Sequence, residues 1–454
     1  MRLSTATLDR LGPEVGRPGY DRAAQQVGIV HFGIGAFHRA HQAWYTDAAM
    51  NAGDRNWMIT GVSLRSAEVA GQMVPQDGLF TLIERSATAP RARLIGAVRM
   101  VLVASEDPAA VIAALAAPQT HIASFTVTEK GYARSADGSL DPLASGEGSF
   151  YPLLTAGLRC RKDAGLPGLT LLSCDNLADN GAQLGRLMRA YLGAHDPDLL
   201  EWFAGHCTCP ATMVDRIVPA TTAADRAEAQ GLLGGLKDAA CVVTEPFSQW
   251  VIEDRFAGPR PRWETVGAEL VADVRPYETA KLRMLNGAHS LLAYAGLRRG
   301  HTYIHEAIAA AELCELVEHL MLREAAPTLI PAPGQDLVAY ASALSDRFAN
   351  PALDHRLSQI AIDGSQKLPQ RWLATLAERQ ALGATCPAIL TGLAAWVHHL
   401  RGANGVVDAP RADELRIAAD QPDPVDALFG PAGLLASDWV PSAADRAILA
   451  NTVA

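Results

Sequence analysis

The sequence predicts an α/β protein in which an N-terminal Rossmann-type doubly wound sheet, residues 1–275, precedes an all-helical domain, residues 276–454. Three observations support this fold class. An apolar strand-like run leads into a glycine turn and a helix, further strand-like and helical runs alternate after it, and residues beyond about 275 read as successive helices. Alternation of strands and helices is typical of a mainly parallel sheet. A chain of 454 residues is also too long for one simple core.

The first strand covers 27–32, and a glycine turn and a helix from about His41 follow it. A strand, a tight turn and a helix start can hold a pyrophosphate on backbone N–H groups. The third marked position of this fingerprint, usually glycine or alanine, is His38 here. We therefore predict a dinucleotide site at the turn. Its residues at this point are Gly33, Ile34, Gly35, Phe37 and His38.

The remaining strands and helices of the first domain follow the same pattern. Further strand-like runs lie at 57–64, 79–84, 93–103, 122–128 and 169–173, and helices are predicted at 108–117 and from about 179. Open α/β sheets bind ligands at the carboxyl ends of their strands. We therefore expect His38, Glu129, Lys130 and Asn176 near one crevice, with Glu129 and Lys130 as further cofactor residues.

The second strand ends at Ser63-Leu64-Arg65-Ser66, without the acidic residue that usually holds the ribose of NAD. Arg65 is compatible with a 2′-phosphate, so NADP stays open beside NAD.

The segment YETAKLRMLNGAHS, from Tyr277, predicts a helix with four polar side chains on one face: Glu278, Lys281, Asn286 and His289. At about 100° per residue they fall within an arc of roughly 140°. A buried lysine can serve as a general base, and an asparagine amide can stabilise an oxyanion. An ordinary solvated helix face is the alternative. Beyond this helix, turns are predicted at Gly296, 331–334, Pro351, Gly383 and Pro410.

Composition excludes several classes of function. The net charge of −10 argues against nucleic acid or an anionic membrane as the main partner. The N-terminus has no apolar leader, and no apolar run is long enough to cross a bilayer, so we expect a cytoplasmic protein. Seven scattered cysteines suit reduced thiols. His206, Cys207 and Cys209 lack a further well-spaced ligand group, so no metal is predicted.

Several motifs together resemble the polyol-specific long-chain dehydrogenases, the mannitol dehydrogenase family. They are GIGAFHRAH from Gly33, TEKGY from Thr128, SCDN from Ser173, MVDRIVP from Met213, the Lys281-Asn286-His289 helix and DGSQKLPQR from Asp363. The resemblance spans most of the chain in the same order. It implies a Rossmann-type domain followed by a helical domain, and oxidation of a secondary alcohol with NAD and without a metal.

The resemblance also implies residue roles. The catalytic base falls on Lys281, the oxyanion-binding amides on Asn176 and Asn286, the substrate-orienting imidazole on His289 and the proton gate on Glu278. Asp215 matches an aspartate near substrate and nicotinamide, and Lys367 matches a substrate-binding lysine. A simple ion pair with Arg216 remains the alternative for Asp215, and surface exposure the alternative for Lys367. A free lysine, with a pKa of roughly 10.4, needs burial and a nearby cation to become a base at neutral pH.

The segment from His355 departs from the mannitol branch of the family and resembles the fructuronate reductase branch. Gln359 stands where the mannitol branch has a substrate-binding arginine. A sugar-acid carboxylate favours charged donors, and Arg356, Lys367 and Arg371 lie nearby in the sequence. The first choice of substrate is therefore D-mannonate and D-fructuronate, and mannitol or arabinitol is the alternative. A nucleotide-binding sensor without catalysis is the remote alternative, and a monomer or small homo-oligomer is expected.

Overall fold

The computed structural model describes residues 1–135 and 137–453. The chain divides into two compact units, Met1–Val274 and Arg275–Ala454. The first unit holds the β-strands and the second is built from helices. This is the fold class that the sequence predicts.

The first unit alternates strands and helices along most of its length. Its strands are β1 (Val27–Phe32), β2 (Met58–Ser63), β3 (Phe80–Glu84), β4 (Arg91–Ile95), β5 (Val98–Val103), β6 (Ile122–Phe125), β7 (Thr170–Ser173), β8 (Thr212–Asp215), β9 (Val242–Thr244), β10 (Gln249–Glu253) and β11 (Glu269–Val271). Its α-helices are α1 (Ala36–Ala40), α2 (Gln42–Asn51), α3 (Glu68–Met73), α4 (Pro108–Ala116), α5 (Thr128–Gly131), α6 (Phe150–Asp163), α7 (Asn180–His195), α8 (Pro197–His206) and α9 (Ala223–Leu232). Short 3₁₀ turns lie at Thr5–Arg10, Val74–Gln76 and Trp263–Val266.

The central sheet of this unit has the strand order β5-β2-β1-β6-β7, and every pairing in it is parallel. Alternate residues of β1 pack into two different apolar clusters, Ile29 on one face and Val30 on the other. Such a strand is buried on both faces, as parallel sheets require. The strand order reverses at β1, between β2 and β6, and this switch point is where open α/β sheets bind ligands.

Two smaller sheets lie beside the central one, and they correct the strand prediction. β3 pairs with β4 and β9, and β10 pairs with β8 and β11. The single strand predicted at 93–103 is wrong, because the chain breaks at Gly96-Ala97 into β4 and β5, which belong to different sheets. Gly96 donates its N–H to the buried Asp47 carboxylate at 2.9 Å, and a Cβ there would lie 2.6 Å from the Pro18 ring. Long-range contacts therefore make the break, and an apolar run does not reveal them.

The second unit contains α-helices joined by short connections. They are α10 (Arg275–Ala280), α11 (Asn286–Arg298), α12 (Ile304–Ala309), α13 (Ala311–His319), α14 (Leu337–Phe348), α15 (Leu357–Ile360), α16 (Gly364–Leu368), α17 (Ala374–Ala381), α18 (Pro387–Leu400), α19 (Ala412–Ala419), α20 (Pro424–Phe429) and α21 (Ala443–Val453). Single π-helical turns lie at Lys281–Leu285, Leu320–Ala325 and Pro369–Leu373, and 3₁₀ turns at Ala326–Thr328 and Pro351–Leu353. None of the described helices is long and apolar enough to cross a membrane.

Helix α11 lies in the core of this unit, where Leu291 and Leu292 are fully buried. The turn predicted at Gly296 is wrong, because this glycine lies inside α11. A Cβ at Gly296 would lie 2.7 Å from the Leu357 side chain, so the missing side chain allows close helix packing. The chain turns four residues later, at Gly300, where φ is +81°. The other predicted turns, at 331–334, Pro351, Gly383 and Pro410, lie between α-helices.

Candidate active site

A pocket of about 550 Å³ lies in the first unit at the carboxyl ends of β1, β2 and β6. Its walls are the glycine turn at 33–35, the end of β2 at 63–66 with Val69, and residues 126–128 and 130–131 after β6. These three segments follow neighbouring strands of the parallel sheet. The pocket therefore occupies the switch point of the sheet.

Two glycines of the turn serve different purposes. Gly33 has φ of +92°, and a Cβ there would lie 2.1 Å from the backbone oxygen of Thr126. The fold itself requires glycine at this position. Gly35 has φ of −78°, and its Cβ would meet no protein atom closer than 3.9 Å. Glycine at position 35 therefore leaves room in the pocket, where a ligand can approach the backbone.

The predicted cofactor residues separate into two groups. Gly33, Ile34, Gly35, Arg65 and Lys130 line the pocket. The lining residues do not include Phe37, His38, Glu129, Asn176 or Asp215.

His38 lies behind the glycine turn. Its side chain is fully buried and its ring stacks on His31 with 3.5 Å between centroids. Burial holds the pKa of His38 well below its usual value, so the imidazole is neutral. Phe37 stacks on the ring of His41 at 5.1 Å. Both rings contact other rings of the first unit, and neither residue lines the pocket.

The pocket fits a ligand that carries phosphate groups. Arg65 and Lys130 are exposed cations of its lining, and no carboxylate belongs to the described residues that line it. Open space over Gly35 beside two cations suits a pyrophosphate. The residues present therefore fit a dinucleotide cofactor.

Asn176 is exposed and follows β7, which neighbours β6 in the sheet. Its neighbour Asn180 is fully buried and ties this segment to β8. The Asn180 amide donates to the backbone oxygens of Asp175 and Thr212, and its Oδ1 accepts the N–H of Thr212. Asn180, which the sequence reasoning missed, thus joins the loop that carries Asn176 to the strand that ends at Asp215.

Asp215 is the last residue of β8 and is buried. Arg216, the ion-pair partner that the sequence suggests for Asp215, contacts other groups of the first unit. Its guanidinium pairs with Glu84 at 2.7 Å and donates to the backbone oxygens of Ala40 and Glu245. Arg216 therefore holds β8 against α1 and β3.

In the second unit, Lys281 opens a π-helical turn between α10 and α11. The N–H of Asn286 donates to the backbone oxygen of Lys281, which is an i→i+5 hydrogen bond. Such a bond places residue 286 one turn above residue 281 on the same side of the helix. A regular α-helix would offset the two residues by about 140°. The arc predicted from the sequence is therefore corrected, and Lys281 and Asn286 lie closer in angle than expected.

Lys281 is buried, with 9% of its surface exposed, and Glu278 is half-buried one turn before it in α10. The alternative of an ordinary solvated helix face does not describe Lys281. Single π turns occur frequently at functional sites, where they re-aim side chains.

His289 follows on α11, and its Nε2 is buried without a hydrogen-bond partner among the described residues. Its ring lies 4.8 Å from that of Phe348 and 5.6 Å from that of His355. Burial, followed by the charges of His355, Arg347, Arg371 and Lys281, keeps its pKa well below the usual value. A neutral imidazole with an unused nitrogen is suited to a substrate hydroxyl. His355 begins the segment that resembles the fructuronate reductase branch, but the sequence pattern predicts no role for its side chain.

Two of the three cations predicted for the substrate lie next to α11. Arg371 donates to Ser290 Oγ at 2.8 Å and to the backbone oxygen of Asn286 at 3.3 Å. Lys367 is half-buried, and burial and the nearby charge of Arg371 lower its pKa. Arg356 is instead exposed, with its guanidinium 5.0 Å above the ring of Tyr303. The structure thus brings Lys367 and Arg371 together and gives Arg356 a surface position.

Within the described part of the chain, no group of three or more His, Cys, Asp or Glu side chains is arranged to hold a metal ion. The cysteines, including Cys207 and Cys209, are free thiols. The absence of a metal requirement stays a prediction.

Comparisons with known proteins match sequence in both units of the chain. A model of the mannitol dehydrogenase Rossmann domain matches residues 27–265, and one of the mannitol dehydrogenase C-terminal domain matches residues 273–423. D-mannonate oxidoreductase of Escherichia coli strain K12 is 40% identical, over 95% of this chain and 93% of that protein. Mannitol 2-dehydrogenase of Pyricularia oryzae is 36% identical, over 92% of this chain and 89% of that protein. The mannitol 2-dehydrogenase of Pseudomonas fluorescens, solved as a ternary complex with NAD and D-mannitol, superposes with a TM-score of 0.81 at 36% identity, covering 100% of this chain and 96% of that chain.

Proposed function

The chain belongs to the mannitol dehydrogenase family, and we propose that it is an NAD-dependent oxidoreductase that interconverts D-mannonate and D-fructuronate. The family membership supports the coarser statement, an oxidoreductase of polyols or sugar acids. The choice of a sugar acid depends on one observation in the second unit, the pair of half-buried cations Lys367 and Arg371 beside α11.

In this proposal, the pocket of the first unit holds the cofactor. The pyrophosphate lies over the turn at 33–35, where Gly35 leaves room for it, and Arg65 and Lys130 face its negative charge. Bound NAD supplies the hydride acceptor. The absence of a carboxylate at the end of β2 leaves NADP as the alternative cofactor, and comparing NADPH with NADH as the electron donor distinguishes the two.

The chain's own residues handle the proton and the oxygen charge. We assign Lys281 Nζ as the acceptor of the C2 hydroxyl proton and Glu278 as the group that passes this proton on to solvent. Asn176 and Asn286 each donate an amide N–H to the alkoxide-like oxygen, which lowers the energy of the charge that develops there. His289 Nε2, which has no partner among the described residues, binds a further substrate hydroxyl. Asp215 is assigned to the same substrate by family resemblance.

Lys367 and Arg371 are assigned to the terminal carboxylate of the sugar acid. Two cations that are removed from bulk water and lie close together repel each other, and a bound anion relieves this repulsion. The pKa of Lys367, which burial and then the charge of Arg371 lower, is consistent with that situation. Burial alone lowers the pKa of Arg371, to about 10. A charge-assisted hydrogen bond contributes roughly 1.5–3 kcal/mol, which corresponds to about tenfold to a hundredfold in kcat/KM.

The test compares fructuronate with fructose as substrates for reduction by NADH. We expect kcat/KM for fructuronate to be at least about tenfold higher, and Lys367→Gln to reduce that preference. Arg299→Gln removes a surface cation of the same unit, which pairs with Glu312 at 3.2 Å, and serves as the matched control. A preference for fructose, or a larger loss from Arg356→Gln than from Lys367→Gln, would contradict the carboxylate assignment.

The second candidate is a mannitol or arabinitol 2-dehydrogenase. The similarity to two mannitol 2-dehydrogenases over nearly the whole chain favours it. In that case Lys367 and Arg371 serve a neutral hydroxyl network, and oxidation of mannitol or arabinitol by NAD would exceed oxidation of mannonate. The same set of substrates, measured in the oxidative direction, decides between the two.

A further inference from the structure

One wall of the cofactor pocket contains a strained residue. Thr128 has φ of +63°, in the left-handed region that β-branched side chains rarely adopt. It lines the pocket together with Val127 and Thr126. A conformation of this kind persists only where its surroundings enforce it, and such residues cluster at functional sites.

The group that enforces it is the carboxylate of Asp175, at the end of β7. Asp175 Oδ1 accepts the N–H of Thr128 at 3.0 Å, and Oδ2 accepts the N–H of Val127 at 2.9 Å. Oδ2 also accepts the hydroxyl of Tyr132, at the other end of the same short segment, at 2.9 Å. One side chain, 47 residues away in sequence from Thr128, thus holds both ends of the segment 127–132.

Asp175 itself does not belong to the described residues that line the pocket, so its carboxylate has no place in direct contact with a ligand there. Its influence passes through the backbone of 127 and 128. The next residue along the chain is Asn176, to which the proposed function assigns the oxyanion. The hydrogen bonds of Asp175 therefore fix the cofactor wall relative to the loop that carries this amide.

We infer that Asp175 is a positioning residue for the dinucleotide: its carboxylate holds Thr128 in the left-handed conformation and so shapes the wall of the pocket at 126–131. This inference rests on the proposed function, since it takes the pocket to be the NAD site. Without the carboxylate, two backbone N–H groups lose their acceptor and Thr128 relaxes to an ordinary conformation. The wall then no longer has the shape that the cofactor meets.

The experiment measures the Kd of NADH by fluorescence titration for the full chain and four variants. Asp175→Asn replaces one acceptor oxygen by an amide donor that opposes a backbone N–H, and we expect its Kd to rise roughly tenfold. Adding Thr128→Gly to Asp175→Asn removes the cost of the left-handed conformation, because glycine adopts it freely. The double variant should therefore recover at least roughly threefold in Kd relative to Asp175→Asn. A purely structural effect of losing Asp175 would not be reversed by a glycine at position 128.

Two further variants serve as controls. Asp141→Asn changes a carboxylate that likewise accepts two backbone N–H groups, of Leu143 and Ala144, but lies outside the pocket lining. Its NADH affinity should equal that of the unmodified chain. The NADH affinity of Thr128→Gly alone is the reference for the double variant, and its Tm should be unchanged or higher, since glycine relieves the strain.

The outcomes separate the inference from the proposed function. If the unmodified chain does not bind NADH, the proposed function fails and the inference fails with it. If the unmodified chain binds NADH and Asp175→Asn binds it equally well, or if the double variant shows no recovery, only the inference is overturned. If Asp175→Asn does not fold, the Tm of Thr128→Gly tests the inference instead. A Tm lower than that of the unmodified chain would show that residue 128 is not held in the left-handed region and would overturn the inference.

Discussion

Alanine substitutions at Gly33 and Gly35, the two glycines of the turn, should produce different defects: one should lower the Tm and the other should weaken NADH binding. At Gly33, φ of +92° and a Cβ 2.1 Å from the Thr126 oxygen make any side chain destabilising. The left-handed conformation alone costs about 1–3 kcal/mol, and the backbone clash adds to it. A total of about 3 kcal/mol corresponds to a Tm lower by roughly 6–12 °C for a unit of this size.

Gly35→Ala meets no such obstacle, because φ is −78° and the new Cβ would have no protein atom within 3.9 Å. Its Tm should therefore stay within about 2 °C of the unmodified chain. The methyl group instead occupies space in the pocket and displaces the pyrophosphate from its position beside the turn and the two cations. Loss of one hydrogen bond to a charged group costs roughly 1.5–3 kcal/mol, so the Kd of NADH should rise about tenfold to a hundredfold.

The assay pairs a thermal melt with an NADH titration on both variants. The predicted pattern is a lower Tm for Gly33→Ala and a weaker Kd with normal Tm for Gly35→Ala. Equal effects on Tm from the two substitutions, or unchanged NADH affinity in a folded Gly35→Ala protein, would refute the separate roles derived from the two glycines.

Three further predictions concern catalysis and stability. Replacing Asn176 or Asn286 by Ala should slow hydride transfer by about 10²–10³ with little change in cofactor affinity, and stopped-flow measurement of NADH oxidation separates the two quantities. Activity should survive exhaustive chelation. A loss of activity on chelation that added zinc restores would contradict the metal-independent mechanism. Burial raises the pKa of Glu324 from 4.5 to about 7, although its carboxylate accepts two backbone N–H groups at the start of α18. The folded state therefore binds a proton that the unfolded state releases, so stability should fall by about 3 kcal/mol as pH rises from 4.5 through 7. Glu324→Gln should flatten this slope in urea unfolding, and an unchanged slope would assign the titration to another group.

Much of the first unit could be predicted from the sequence because its signals are local. The strand at 27–32 is a short apolar run, and the glycines after it mark the turn. The strand break at Gly96 and the carboxylate of Asp175 have no local signal, since their partners lie 49 and 48 residues away. The polar run at the end of β7 places Asp175 at the edge of the sheet where ligands bind. The sequence does not show that its side chain accepts hydrogen bonds from the pocket wall after β6.

The second unit shows the same division between local and distant causes. The helix that carries Lys281, Asn286 and His289 follows from its composition, whereas the π turn at its start does not. A period of 100° per residue assumes a regular helix, and the π turn brings Lys281 and Asn286 closer in angle than that period allows. The resemblance of motifs identified the family, and the structure then distinguished Lys367 and Arg371, beside α11, from Arg356 at the surface.

The central claim is that Lys281 is the general base of a cofactor-dependent, metal-independent oxidation. The most direct measurement compares turnover of mannonate and NAD, in the presence of a chelator, for the unmodified chain and Lys281→Ala, with NADH affinity measured on both. Lys237→Ala, which removes an exposed lysine of the first unit, is the control. We predict that Lys281→Ala lowers turnover by about 10²–10⁴, leaves the Kd of NADH unchanged and regains part of its activity with an external primary amine. Near-normal turnover in a folded Lys281→Ala protein would contradict the account.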